Sequence, residues 1–271
     1  MTRHVAVGAD GSAESIAAVS WAAQEAMLRA VPLLLVHVEE TPAAPETPPD
    51  FARAQTDRTE NLLRDAAGGA RSRYPGLEVA TDAVQGRAAD ALIAAADRAE
   101  ALGSGGLGRA AGFLTGSASL PVVAKSRKPV VLVRSRDAAE PPRQREAPGE
   151  AARRGEELRV VHSWSQPAAY AYAAIMDPGI GVELEQRVAE GLAEGLADMF
   201  RPWRSRFTEV NVTERTVNGP AAAELIHASE GAALLVVGRR SGGAPTGPHL
   251  GHVAQSAIHH SGAPVAVVPH E

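Results

Sequence analysis

Val5-Ala6-Val7-Gly8-Ala9-Asp10-Gly11-Ser12 runs directly into an Ala-rich stretch from Ser15 to Ala30. Val5 to Ala9 is a continuous apolar run, as a strand covered on both faces requires, and Asp10, Gly11 and Ser12 supply turn chemistry. The stretch that follows carries apolar residues at helical spacing, so the segment reads as strand, tight turn, helix.

Leu33 to Val38 is a second apolar run, and Thr41 to Pro49 is a Pro-rich loop. Asp57 and Glu60 have capping-box spacing, which predicts a helix from about Asp57 to about Arg73. Leu77 to Ala83 then reads as a strand, Ala88 to Ala99 as a helix and Gly103 to Gly116 as a glycine-rich loop. Ser117 to Lys125 reads as a helix and Val130 to Val133 as a last strand. Strands alternating with helices imply a parallel α/β sheet.

The rest of the chain repeats the first half. Leu35-Val36-His37 recurs as Val160-Val161-His162, Gly86 with Leu92-Ile93 as Gly219 with Leu225-Ile226, and Lys128-Pro129-Val130 as Ala263-Pro264-Val265. The offsets, about 125, 133 and 135 residues, drift only by small insertions, which marks a tandem duplication. Arg134 to Glu157 holds mixed charges with Pro141, Pro142 and Pro148, the composition of a solvated connection. We divide the chain into a first domain at 1–136, a linker at 137–150 and a second domain at 151–271.

The repeats are unequal. Stepping back from His162 by the 27 residues that separate Asp10 from His37 lands on Ser135, and no apolar strand lies upstream until Val133. Repeat two is therefore expected to lack its first strand and most of its first helix. In repeat one, Ala101-Leu102 stands where repeat two has Leu234-Leu235-Val236-Val237, so its fourth strand is expected to be short and weak.

Length, at 271 residues, fits about two domains, and the net charge of -5 without a block of one sign offers no basic surface to nucleic acid. The chain has no cysteine, which excludes disulfides, thiolate catalysis and thiol-ligated clusters. No apolar run approaches the roughly 18 residues of a membrane span, and no signal-peptide pattern opens the chain. A cytoplasmic location with no membrane partner is the expectation.

Gly103, Gly106, Gly116 and Ser117 carry the strongest chemical signal. Glycines after a strand and before a helix let backbone N–H groups approach phosphates, and the helix start adds a positive dipole end. The alternative is that they simply serve a turn. Gly103, Gly105 and Gly108 also satisfy Gly-x-Gly-x-x-Gly, but that fingerprint belongs after the first strand of a βαβ unit, not the fourth. Asp10 lies at the carboxyl edge of the first strand, where open parallel sheets bind ligands, although Asp10 and Ser12 equally suit capping of the first helix. His37 and His162 read as hydrogen-bonded core residues, and Trp21, Trp164 and Trp203 as packing residues.

The segment Val5 to Ser12, the Gly103/Gly106/Gly116/Ser117 spacing and the ending Pro129-Val130-Val131-Leu132-Val133 resemble the universal stress protein family in its tandem form. The resemblance spans nearly the whole chain apart from the linker. It implies two Rossmann-like, HUP-type sheets of strand order 3-2-1-4-5, pairing through their last strands, and ATP as ligand, with Mg. Carried over, Asp10, with Ala9 beside it, matches the adenine-side acid and Val38 the position whose backbone reads the base. Leu102, Gly103, Gly106, Gly116, Ser117 and Ala118 match the ribose and phosphate loop. Repeat two offers Gly238, Ser241, Gly251 and His252 without the acid, so ATP binding in the family manner is expected in repeat one only.

These residues lead to an ATP-binding protein of stress response or signalling that acts through conformation or an unknown signalling partner, rather than an enzyme. A slow Mg-dependent ATP hydrolase and a nucleotide-independent interaction module are the alternatives, and a homodimer is compatible with each.

Overall fold

The computed structural model describes residues 3–39, 49–105, 118–133, 148–165, 178–240 and 250–270. They group into two compact units that interleave along the chain: 1–141 with 236–259 and 263–271, and 142–235 with 260–262.

The first unit is built on a seven-stranded sheet. β1 (Val5–Gly8), β2 (Leu33–Glu39), β3 (Val79–Gln85), β4 (Ala101–Gly105) and β5 (Val130–Val133) are parallel and lie in the order β3-β2-β1-β4-β5. β1 is central, with Val5 beside Leu33 on one side and Ala101 on the other, and Val5, Ala6 and Val7 are fully buried. That is why its sequence is continuously apolar rather than alternating. The helices α1 (Ala13–Arg29), α2 (Pro49–Arg73), α3 (Ala88–Arg98) and α4 (Ser119–Lys125) connect these strands.

Two expected boundaries move. α2 begins at Pro49, eight residues before Asp57, so Asp57 and Glu60 lie inside the helix and cap nothing. Proline is favoured in a first helical turn because its missing N–H would have no partner there. β4 runs on through Gly103, Ser104 and Gly105, paired to β1 as far as Gly103 and to β5 as far as Gly105, so it is longer than its apolar pair Ala101-Leu102 implied. Close neighbours crowd any side chain there: a Cβ at Gly103 would lie 3.2 Å from both Trp21 and Val7.

The last strand of repeat two, β9 (Val265–His270), extends the same sheet. It pairs antiparallel with β5, Val131 opposite Ala266, and β8 (Leu235–Arg240) follows it. α8 (His252–His260) stands between these two strands in sequence. The apolar edge of β5 is thereby closed by hydrogen bonds instead of standing open to aggregation.

The second unit holds α5 (Pro148–Arg154), β6 (Leu158–Trp164), α6 (Pro178–Arg206), β7 (Val212–Asn218) and α7 (Ala221–Ala228). β6 and β7 form a two-stranded parallel sheet, Leu158 opposite Val212, with α6 against β7 and α7 against β6. The missing first strand thus splits the strands of repeat two. Its second and third strands make a sheet of their own, and its fourth and fifth join the sheet of repeat one. The pairing of Arg159–His162 with Leu234–Val237 that would have closed the gap is not formed. Trp21 is buried as expected, whereas Trp203 on α6 is 45% exposed.

Candidate functional site

In the order β3-β2-β1-β4-β5 the chain reverses direction of travel between β1 and β4, and such switch points leave a crevice at the carboxyl ends of the strands. A cleft of about 450 Å3 lies there. Ala9, Asp10, Ser12 and Ser15 reach it from the β1–α1 turn, Val36 and Val38 from β2, Ala88 and Leu92 from α3, Ser104 and Gly105 from β4, and Ala118 and Ser119 from the start of α4.

The β1–α1 turn is held by its own polar side chains. Ser12 is the N-cap of α1, its Oγ accepting from Ser15 N at 3.1 Å, and Asp10 Oδ1 accepts from Ser12 N at 2.9 Å. Gly11 takes φ +81°, a conformation that glycine adopts without steric cost, and its N–H donates to Ser15 Oγ. The capping role foreseen for Asp10 and Ser12 falls to Ser12, while Asp10 fixes the turn through Ser12 N and lines the cleft. Partial burial pushes its pKa up, but the Ser12 and Ser15 hydrogen bonds outweigh that and hold the carboxyl below its ordinary 3.8. Asp10 faces the cleft as an anion at neutral pH.

Asp10 also borders a neighbouring cavity of about 320 Å3 with His37, Arg58 and Thr59. His37 Nδ1 donates to Ala9 O at 2.7 Å, so this histidine clamps the end of β1, as its position inside a strand suggested.

On the opposite wall, Ser119 Oγ donates to Gly105 O at 2.9 Å and lies 3.1 Å from Ser104 Oγ. These bonds tie the first turn of α4 to the end of β4. A Cβ on Gly105 would meet the backbone of Glu14 and Ser15 at 3.1 Å, so glycine is what lets β4 lie against the first turn of α1.

Of the residues singled out in the sequence, Ala9, Asp10, Val38 and Ala118 meet in this cleft. Leu102 and Gly103 do not line it. They are buried in β4 beside Ala6 and Val7, and Ser104 and Gly105 take the place at the cleft, because the strand extends beyond its apolar residues. Gly106, Gly116 and Ser117 lie outside the described residues. Sequence reading missed Ala88, Leu92, Ser104 and Ser119, whose placement needs the crossing of α3 and α4 over the sheet. Gly105 was visible, but only inside a fingerprint that did not apply. In repeat two, Gly238 sits in β8 with His270 close enough that a Cβ would lie 2.9 Å from its ring.

A sequence profile described as the universal stress protein family matches residues 1–134 and again 142–269. The chain belongs to the universal stress protein family. Universal stress protein Rv2005c of Mycobacterium tuberculosis is 33% identical to it, covering 97% of this chain and 96% of the relative. A universal stress protein of Mycolicibacterium smegmatis is 31% identical with the same coverages. Among solved structures, a universal stress protein of Archaeoglobus fulgidus aligns with a TM-score of 0.69 at 17% identity over 98% of both chains, a likeness of fold. A universal stress protein solved in complex with cAMP aligns with half of this chain, TM-score 0.41 and 23% identity. No helix among the described residues of this tandem universal stress protein is long and apolar enough to cross a membrane.

Proposed function

We propose that the cleft between β1 and β4 binds an adenine nucleotide, ATP with Mg, and that occupancy alters conformation or partner choice in a stress-response role. The observation that carries this reading is the meeting of Asp10 and Val38 with Gly105 and Ala118 at one switch-point cleft. Its volume lies within the roughly 300–1,000 Å3 common to small-molecule sites. Val36, Val38 and Leu92 offer an apolar wall to a purine. The ionised Asp10 can accept from an exocyclic amine or a ribose hydroxyl.

Gly106, Gly116 and Ser117 enter through the family motif as the phosphate loop, where backbone N–H groups would face phosphate oxygens. Magnesium, when bound, would neutralise phosphate charge, held by those oxygens and the Ser117 hydroxyl.

Binding rather than hydrolysis is favoured by how the serines around the cleft are engaged. Ser15 donates to Ser12 O and Ser119 to Gly105 O, so neither hydroxyl is free to act as a nucleophile. Denaturing extraction of freshly purified protein, with mass identification of the released compound, tests the reading. An adenine nucleotide is expected; an empty extract together with no heat of ATP binding by calorimetry would overturn it.

A further inference from the structure

Asp10 borders two cavities on opposite faces of the sheet. Val36 and Val38 of β2 line the switch-point cleft, and His37 between them points to the other face, as alternation along a strand requires. There the second cavity, about 320 Å3, lies between the carboxyl ends of β1 and β2 and one face of α2. Leu62 closes it beneath the β1–α1 turn, 3.1 Å from where a Cβ on Gly11 would stand. Thr59, buried, donates to Glu39 Oε1 and so ties this face of α2 to the end of β2.

Four polar groups around the cavity keep hydrogen-bonding capacity. His37 uses its Nδ1–H on Ala9 O, so the neutral ring presents Nε2 as an acceptor. Asp10 gives Oδ1 to Ser12 N and retains its other carboxylate oxygen. On the α2 side, Gln55 and Arg58 are donors one helical turn apart, and neither has a partner among the described residues. The helix neighbours of Arg58 at three and four residues are Ala54, Gln55, Asn61 and Leu62, so its own helix places no carboxylate to pair with it. An anion and a cation thus line one cavity without pairing with each other. Asp10 and Arg58 are both exposed, so a ligand reaches them directly from solvent.

The internal repeat shows that this set belongs to repeat one. α6 corresponds to α2 at an offset of 133 residues, which brings buried Leu63 onto buried Leu196. His37 recurs as His162, but Val188 and Gly191 stand where Gln55 and Arg58 do, and the Asp10 position is lost. Repeat two keeps the strand histidine and neither of the two charges.

We propose that this cavity binds a small zwitterion, an amino acid whose ammonium sits on Asp10 and His37 Nε2 and whose carboxylate sits on Arg58 and Gln55. Opposite charges on two sides of a cavity are complemented by a ligand carrying the reverse pair, and a guanidinium takes a carboxylate in two parallel bonds. The volume stands at the low end of small-molecule sites, which suits a free amino acid better than a peptide. The site does not depend on what the cleft across the sheet holds.

Calorimetric titration of the full chain with glycine, β-alanine and γ-aminobutyrate, which carry the two charges at increasing separation, tests the proposal. Acetate, methylammonium and ribose serve as probes with one charge or none. One of the three zwitterions is expected to bind about tenfold or more tighter than each of these. Because Asp10 also fixes the β1–α1 turn, the decisive variant is Arg58→Gln at an exposed helix position. It should weaken the zwitterion about tenfold with an unchanged thermal melt. No saturable heat from any of the three zwitterions, acetate or ribose binding as tightly as they do, or an affinity unmoved by Arg58→Gln would each overturn the proposal. ATP titration of the same samples reports separately on the cleft.

Discussion

Arg239 Nη2 on β8 donates to the main-chain oxygen of Ser126, 2.5 Å away across 113 residues of sequence. Ser126 is the C-cap of α4, and both residues are buried. The carboxyl end of a helix carries a partial negative charge and unpaired carbonyls, so a buried guanidinium is stabilised there without a carboxylate. Burial lowers the pKa of Arg239, yet arginine remains protonated throughout the range in which the protein is folded. Arg239→Ala should remove both the donor and its packing and cost about 2 kcal/mol. A urea midpoint equal to that of the wild type would show that water replaces the guanidinium at no cost.

Gly105→Val tests the cleft wall. The added side chain would meet the backbone of Glu14 and Ser15, which cannot rotate away as a side chain would. Forcing β4 from α1 should cost about 2 kcal/mol and weaken nucleotide binding together with stability. Calorimetry and thermal melts on one preparation would reveal whether the two losses move together.

Gly116→Val addresses the phosphate loop that the family motif assigns. It should weaken ATP about tenfold or more, the equivalent of one charge-assisted hydrogen bond, while leaving the melt unchanged. Unaltered ATP affinity in a folded variant would remove Gly116 from the site.

Asp10→Asn separates adenosine recognition from stability. The carboxyl is held below its ordinary 3.8, so it stabilises the folded state above that pH, and this contribution is lost as pH falls through the lowered folded value. The stability difference between wild type and variant should be level at neutral pH and shrink only in acid. In binding, the variant should lose discrimination for adenosine more than affinity for the triphosphate. A difference that stays constant down to the acid limit would mean the carboxylate is not what Ser12 and Ser15 hold.

Hydrogen exchange should divide repeat two internally. β6 and β7 form a sheet of two strands, which is marginal on its own, whereas β9 is bonded to β5 in the seven-stranded sheet. Amides of Leu158–Trp164 and Val212–Asn218 should therefore exchange before those of β9, β1 and β2. Equal protection of β6 and β9 would contradict the split.

What the sequence determined by itself is what local chemistry encodes. Val5 to Ser12 spelled strand, turn and helix because an apolar run, an Asp-Gly-Ser turn and helical spacing each have one economical backbone solution. The duplication, the absence of a strand before His162 and the place of Asp10 at a strand end followed from residue order alone. The tertiary structure decided what depends on partners far away in sequence. β4 extends through three residues of low strand propensity because β5 pairs with it as far as Gly105, β1 pairs with it as far as Gly103, and Trp21 fills the space above Gly103. β8 and β9 joined the sheet of repeat one because β5 offered an open apolar edge to pair with. Ser104 and Gly105, not Leu102 and Gly103, face the cleft because the end of β4 lies three residues beyond its last apolar side chain. Trp203 is 45% exposed although it reads as a packing residue, because burial depends on neighbours far away in sequence that no local pattern around Trp203 records.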